Sequence, residues 1–380
     1  MKLILDEEQA ALLKTARQFM DERSPVSRVR ELRDSADATG FSRALWKRMA
    51  ELGWVGLNLP EAYGGSELGL FELCLILEAG GRNLCPEPFL STVVLGAGAL
   101  MAAGTDAQKA AWLPRVAEGD AIVALASDEA NSRYDVCAIE ARAELDGDGY
   151  RLSGEKSQVL DGHVADLLIV SARTAGGRSD REGVTLFLVE AGTPGLSVTR
   201  QSRVDGRNAA IVTLESVEVG PGALLGAPGA GCALLETLRQ RAAAAVSAEM
   251  LGLASAAYEQ TLAYLKERVQ FGVPIGSFQA LQHRAARLFI ELELARSSVL
   301  AAARAADDDP AAFPELAALA KARASELVIH VTNEAVQMHG GIGMTDELDL
   351  GFYMKRARAT AVAFGDASFW RTRWADLRGY

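Results

Sequence analysis

The chain has 380 residues, 49% hydrophobic and 23% charged, with a formal net charge of -11. Such a composition supplies ample apolar material for a core and, at this length, points to two or three domains. The acidic balance excludes a broad electrostatic footprint for nucleic acid, so an anionic ligand needs a local basic site. The four cysteines, Cys74, Cys85, Cys137 and Cys232, form no CxxC pair, and none lies near a histidine at metal-ligand spacing. They read as thiols in a reducing compartment, and with His163, His283, His330 and His339 widely spaced no metal site is expected. The N-terminus turns acidic at once with Asp6, Glu7 and Glu8, and has no apolar signal segment. A cytoplasmic protein without a membrane span is expected.

The first third reads as helical. Leu12, Leu13, Ala16, Phe19 and Met20 recur at helical spacing, and a second helix is predicted from Ser42 to Leu52. Pro60 and Tyr63-Gly64-Gly65-Ser66 break the pattern. The uncharged stretch 88–105 is long enough to raise the question of a membrane, but Pro88, Ser91, Thr92 and three glycines make it a buried helix. From 122 to 219 short β-type runs such as Leu167-Leu168-Ile169-Val170 alternate with turn signals such as Asp146-Gly147-Asp148-Gly149. No long helical pattern intervenes, which predicts an antiparallel β domain rather than βαβ units. From Cys232 the chain is helical again, in four predicted helices. The first runs to about Arg268. The second carries Leu281, Ala285, Leu288, Leu292, Ala295, Val299 and Ala302, spaced alternately four and three apart. Residues 301–312 read as a loop. The third helix, after Pro314, carries Leu316, Ala320, Ala324, Leu327, Val331, Ala335 and Met338 and stops at Gly340-Gly341. The fourth is predicted from about Leu350 to Trp374. The expected architecture is α+β: an N-terminal helical domain (1–119), a central antiparallel β domain (120–228) and a C-terminal four-helix bundle (229–380).

Two segments carry a family resemblance. Arg268-Val269-Gln270-Phe271-Gly272-Val273-Pro274-Ile275-Gly276-Ser277-Phe278-Gln279 resembles the signature that follows the first bundle helix of acyl-CoA dehydrogenases. Gln337-Met338-His339-Gly340-Gly341-Ile342-Gly343 resembles a second signature of the same family, and the three-part layout covers the whole chain. Within the family, Arg133-Tyr134-Asp135, Gly154-Glu155-Lys156-Ser157 and Phe364-Gly365-Asp366-Ala367 are most similar to the pimeloyl-CoA dehydrogenase small subunit. The resemblance implies an FAD-dependent oxidoreductase of lipid metabolism that acts on an acyl-CoA thioester. A carboxylate removes the α proton, and a hydride passes from the β carbon to the flavin. It further implies a tetramer and electron-transfer flavoprotein as acceptor. By that resemblance Arg268 and Gln270 reach the FAD pyrophosphate of a neighbouring subunit, a task suited to a guanidinium fork. Phe271 packs near the adenosine half, Phe278 and Gln279 lie on the same stretch, and Gln337, Gly340 and Gly341 form a second FAD-contacting turn.

Several positions depart from the family pattern. The usual catalytic glutamate, aligned on Gly365, is replaced by Phe364, and the alternative one falls nearest Gln240-Arg241. Neither a phenyl ring nor an amide can accept the α proton. Where a Thr-Glu-Pro-Gly-x-Gly-Ser-Asp pattern is expected, the chain reads Asp128-Glu129-Ala130-Asn131-Ser132-Arg133-Tyr134-Asp135, and a Trp-Ile-Thr triplet is replaced by Gln158-Val159-Leu160. Asp128 would need a charge partner, for which Arg133 is a candidate. Three readings follow. In the first, this is the variant subunit of a heteromeric enzyme whose second acyl-CoA dehydrogenase-like subunit supplies the glutamate. In the second, a homotetramer uses Glu249, the one charged residue in an apolar stretch of the first bundle helix, where burial suits proton abstraction; a structural carboxylate is the plainer account of Glu249. Asp366 is a weaker candidate base, with helix capping as its plainer role. In the third, the chain is a non-catalytic, flavin-free assembly subunit. Lys355, Arg356 and Arg358 read as a solvated basic face, and Trp370 and Trp374 as packing.

Overall fold

The computed structural model describes residues 4–380. The chain packs as two compact units: Met1–Ser35, Gly69–Pro86 and Ala243–Tyr380 form one, and Ala36–Leu68 with Glu87–Ala242 form the other. Packing thus divides the three sequence segments differently from their order along the chain.

The first unit is all helical. Helix Glu7–Arg23 starts at an Asp6 cap whose side chain accepts the Gln9 N–H, with Gln9 returning the bond, which satisfies two otherwise orphaned donors. Helix Leu70–Arg82 is buried from Leu70 to Gly81 apart from the half-buried Glu72. It crosses the long helix Gly231–Glu267 at two glycines: a Cβ on Gly81 would run into the Glu249 carbonyl, and one on Gly252 into the Glu78 carbonyl. Only hydrogen at both positions lets the two backbones come this close. Helix Gln279–Asp308 buries Ala285, Leu288, Leu292, Ala295, Val299 and Ala302, and helix Phe313–His339 buries Ala320, Ala324, Leu327, Val331, Ala335 and Met338. Those are the predicted seams, apart from Leu281 and Leu316, which are half-buried.

Two expectations fail here. The loop predicted at 301–312 is mostly helix, because Gln279–Asp308 continues to Asp308. Alanine is the strongest helix former, and Asp307 also holds the amides of Leu70 and Phe71 at 3.0 Å each. The predicted fourth helix is two, Leu350–Val362 and Ala367–Arg378. They are separated where Phe364 and Gly365 adopt φ of 58° and 113° and Asp366 caps the new helix through the Phe369 N–H at 2.8 Å.

The second unit is built on a sheet, with helices Arg43–Glu51 and Asp106–Ala117 capped by Ser42 and Thr105 as their sequences require. The stretch 88–105 is π-helical over Phe89–Ala97, buried throughout as expected, and continues as helix Gly98–Ala103, where Ala99 and Leu100 are buried but Ala102 is exposed. Among the described residues no helix is long and apolar enough to cross a membrane. The strands are β1 (Val123–Ala126), β2 (Arg142–Asp146), β3 (Gly149–Leu160), β4 (Leu167–Arg173), β5 (Val184–Glu190), β6 (Leu196–Gln201), β7 (Ala209–Val219) and β8 (Leu224–Leu225). Their order is β6-β7-β3-β2-β4-β5-β8, with β1 beside β4. The β2–β3 hairpin turns at the predicted glycines, and most pairs are antiparallel. The sheet is nevertheless mixed, because β1 and β2 each pair parallel with β4. Parallel pairs cannot be closed by a tight turn, and here strands of the same sheet, β2 and β3, rather than a long helix lie between the partners in the chain.

Cys137 and Cys232 are joined as a disulfide across 95 residues, with Cα atoms 5.4 Å apart. This corrects the reading of all four cysteines as thiols; Cys74 and Cys85, both buried, lie outside this bridge. The spacing falls in the range that a disulfide bridges without backbone movement.

Candidate functional site

In the helical unit the cofactor candidates fall on two solvent-facing stretches. Helix Gly231–Glu267 ends at Arg268, whose N–H donates to the Tyr264 carbonyl at 2.8 Å and whose carbonyl accepts the Ile275 N–H at 2.8 Å. Between those anchors a short ribbon pairs Gln270 with Val273 and Val269 with Pro274. Phe271 and Gly272, both at positive φ (55° and 81°), make its turn, the mirror-image type that tight hairpins use. The turn holds the Phe271 ring 92% exposed, packed edge-on against Phe278 at 6.1 Å. Arg268, Gln270, Gln279 and Gln337 are all exposed. On the second stretch Gly340 has φ 67°, and nothing lies within 4 Å of where a Cβ of Gly340 or Gly341 would sit. An exposed cation, three amide side chains, an uncovered aromatic ring and an open glycine turn suit the phosphates and bases of a dinucleotide. The donor set therefore fits FAD, which when bound supplies the hydride acceptor.

Glu249 is 3% exposed, and its Oε1 accepts from Nη1 of the equally buried Arg356 at 3.2 Å. This corrects the solvated basic face: Arg356 points into the core, Lys355 lies over the Phe352 ring at 5.7 Å, and only Arg358 is exposed, bonded to Asn333 at 3.1 Å. On a helix Lys355 and Arg358, three apart, share a side, whereas Arg356 between them is turned away from it, and periodicity alone did not say which side faced inward. Glu78 is a second buried carboxylate, held by Arg17 and Arg296 at 2.9 Å each.

The turn at Phe364 is tied down from several directions. Lys321, fully buried on helix Phe313–His339, donates to the carbonyls of Thr360 (3.2 Å), Ala361 (3.0 Å) and Gly365 (2.9 Å) and to Ser325 Oγ (2.9 Å). Trp370 Nε1 donates to the Phe364 carbonyl at 3.0 Å. Asp366 is occupied as the cap described above. Sequence reasoning passed over Lys321, although a lysine set on an otherwise alanine-lined helical stripe is a signal that could have found it.

The sheet unit holds the loop that departs from the family pattern. Lys156 is buried, and its Nζ donates to Glu129 Oε1 at 2.6 Å and Ser171 Oγ at 3.1 Å. Burial works against ionisation of Glu129, but Lys156 and the amides of Ala141 and Glu140 outweigh it and hold the carboxyl below its usual value. Asp128 is pushed the other way: the atoms crowded round it raise its pKa, against the pull of Lys156 and Arg239. Those two cations, not Arg133, are the charges that act on Asp128. Arg239 also donates to the Tyr134 carbonyl, and Arg133 and Tyr134 stand at φ 50° and 96°, strained for residues with side chains. Arg173, fully buried, reaches the carbonyls of Cys137 (2.6 Å), Ile139 (3.0 Å) and Asp180 (2.7 Å), so one guanidinium fastens both flanking loops. Among the described residues no group of three or more histidine, cysteine or carboxylate side chains could hold a metal.

Models of the acyl-CoA dehydrogenase N-terminal, middle and C-terminal domains match residues 6–120, 124–217 and 229–375. The probable acyl-CoA dehydrogenase YngJ of Bacillus subtilis (strain 168) is 34% identical over 345 residues, 89% of this chain and 90% of that one. The chain belongs to the acyl-CoA dehydrogenase family. Two solved structures extend the match. The Tcur3481-Tcur3483 steroid acyl-CoA dehydrogenase is 36% identical, with a TM-score of 0.86 and 98% of each chain covered. The ChsE4-ChsE5 complex from Mycobacterium tuberculosis is 29% identical, with a TM-score of 0.89, covering 100% of this chain and 99% of that one.

Proposed function

We propose that this acyl-CoA dehydrogenase is the variant subunit of a heteromeric, FAD-dependent enzyme that desaturates an acyl-CoA thioester between its α and β carbons. One contrast carries the reading. Phe364 stands where the family places its catalytic glutamate, while Arg268, Gln270, Phe271, Phe278, Gln279, Gln337, Gly340 and Gly341 remain on the surface, presented outward. In this reading the residues a subunit lends to its neighbour's cofactor are kept, and those that would work on its own substrate have changed. Two relatives whose names join two components, one called a steroid enzyme and the other a complex, support the divided arrangement. Electrons then pass to an electron-transfer flavoprotein.

A homotetramer with Glu249 as base is the second reading, favoured by the burial of that carboxylate on the first bundle helix. Against it stands Arg356: proton transfer to Glu249 would give up a buried charge-assisted bond. The test is to purify the chain alone and together with a co-expressed second acyl-CoA dehydrogenase-like subunit. Flavin and activity are expected in the mixed complex only, and Arg268→Ala in this chain should weaken its FAD affinity roughly tenfold or more. Yellow, active protein from the chain alone, with activity lost in Glu249→Gln, would establish the homotetramer. A mixed complex that is active but unaffected by Arg268→Ala would make this a flavin-free assembly subunit.

A further inference from the structure

The two cofactor-facing stretches meet behind their exposed surfaces through one aromatic pair. Tyr264 lies one helical turn before Arg268, and its carbonyl is the acceptor for the Arg268 N–H. His339 ends helix Phe313–His339, directly before Gly340. Their rings stack with centroids 4.3 Å apart and planes inclined by 24°. The Tyr264 hydroxyl also donates to the His339 carbonyl at 3.4 Å, the atom bonded next to the Gly340 nitrogen. The imidazole is locked from its other side, with Nδ1 on the Ala335 carbonyl at 2.7 Å. Burial lowers the His339 pKa, opposed by that carbonyl bond, so a neutral ring faces Tyr264.

We infer that the Tyr264–His339 stack is the positioning device that holds the Arg268 guanidinium and the Gly340-Gly341 turn at the spacing one dinucleotide pyrophosphate requires. The inference rests on the cofactor-clamp reading above. Its physical basis is leverage. Arg268 follows a helix terminus, and its backbone is tied only to its own helix and ribbon, through Tyr264 and Ile275. Gly340 is at a φ that constrains nothing beyond it. Neither segment is stiff alone, and a ring pair between them removes their relative motion before the ligand arrives, which lowers the ordering cost of binding. Tyr264 and His339 touch no ligand themselves; they act through the residues they hold.

The experiment measures the FAD dissociation constant, by equilibrium dialysis and recovery of flavin fluorescence, on the oligomer that takes up FAD. The variants are Tyr264→Leu, Tyr264→Phe, His339→Leu and Arg268→Ala, each with the melting temperature of the flavin-free protein. Tyr264→Leu and His339→Leu should weaken FAD about tenfold, the scale of one aromatic pair. Tyr264→Phe, which keeps the ring, should stay within about threefold, because one long neutral hydrogen bond contributes little. Loss of affinity in Arg268→Ala with none in Tyr264→Leu would overturn the positioning role and leave the clamp standing. No loss in Arg268→Ala would overturn the clamp itself. If flavin-free Tyr264→Leu melts far below the parent and Tyr264→Phe does not restore FAD affinity, the pair is only part of the core.

Discussion

Lys321→Met is expected to destabilise the helical unit by about 3–5 kcal/mol while leaving its volume filled. The ammonium is surrounded by four acceptors, three of them backbone carbonyls. Two of those belong to Thr360 and Ala361, in the last turn of helix Leu350–Val362, where carbonyls have no intrahelical donor. The third is Gly365, across the break. Methionine supplies no donor, and each acceptor stranded away from water costs about 1–3 kcal/mol. Below about pH 7, where Lys321 is charged, the helix terminus also loses a cation at its negative end. Urea unfolding of parent and variant at equal slope gives the difference directly.

The same residue predicts a pH dependence. Burial lowers the Lys321 pKa to about 7, opposed by Asp366, whereas the unfolded chain titrates near 10.5. Between those values the unfolded state binds the extra proton, so stability rises with pH, by at most about 1.4 kcal/mol per unit. Lys321→Met lacks this slope, and its deficit against the parent should widen from pH 7 to pH 9. A parallel pair of stability curves would mean that Lys321 stays charged in the fold throughout.

The second large effect concerns Glu249 and Arg356. Removing either partner alone, in Glu249→Leu or Arg356→Met, should cost roughly 3–5 kcal/mol because a buried charge loses its counterion. The double variant should recover much of that loss, since two apolar side chains of similar volume need no desolvation. A coupling of about 2 kcal/mol in the double-mutant cycle is the expected outcome. Glu249→Gln then separates structure from catalysis. If the carboxylate is structural, the loss appears in the unfolding midpoint. If it is the base, turnover collapses while the midpoint stays near the parent's.

Much of the fold was legible in order along the chain. The bundle seams were readable because alternating four- and three-residue spacing has one geometric solution, a buried helical stripe, and burial at Ala285, Leu288, Leu292 and Ala295 follows it. The strands from 122 to 219 were readable as short β-type runs between turn signals, and Leu167–Arg173 is buried at every position. The break at Phe364 was not. Its positive φ is backed by Trp370, six residues on, and by Lys321, which reaches the Gly365 carbonyl from 44 residues away on another helix. The disulfide escaped for a similar reason, because Cys137 and Cys232 are brought together by the fold across 95 residues.

By itself the sequence determined the family, because that depends on contiguous residues: a guanidinium after a helix, a glycine turn, an aromatic at a hairpin tip. It also determined that Phe364 cannot be a base, since that is a matter of side-chain chemistry alone. Only the tertiary structure decided which charges lie in the core. Arg356 and Arg358 differ by two positions in an unremarkable helix, yet one is paired with Glu249 and the other is exposed. Burial is set by what packs opposite, and desolvation makes each buried charge depend on a partner that may stand a hundred residues away.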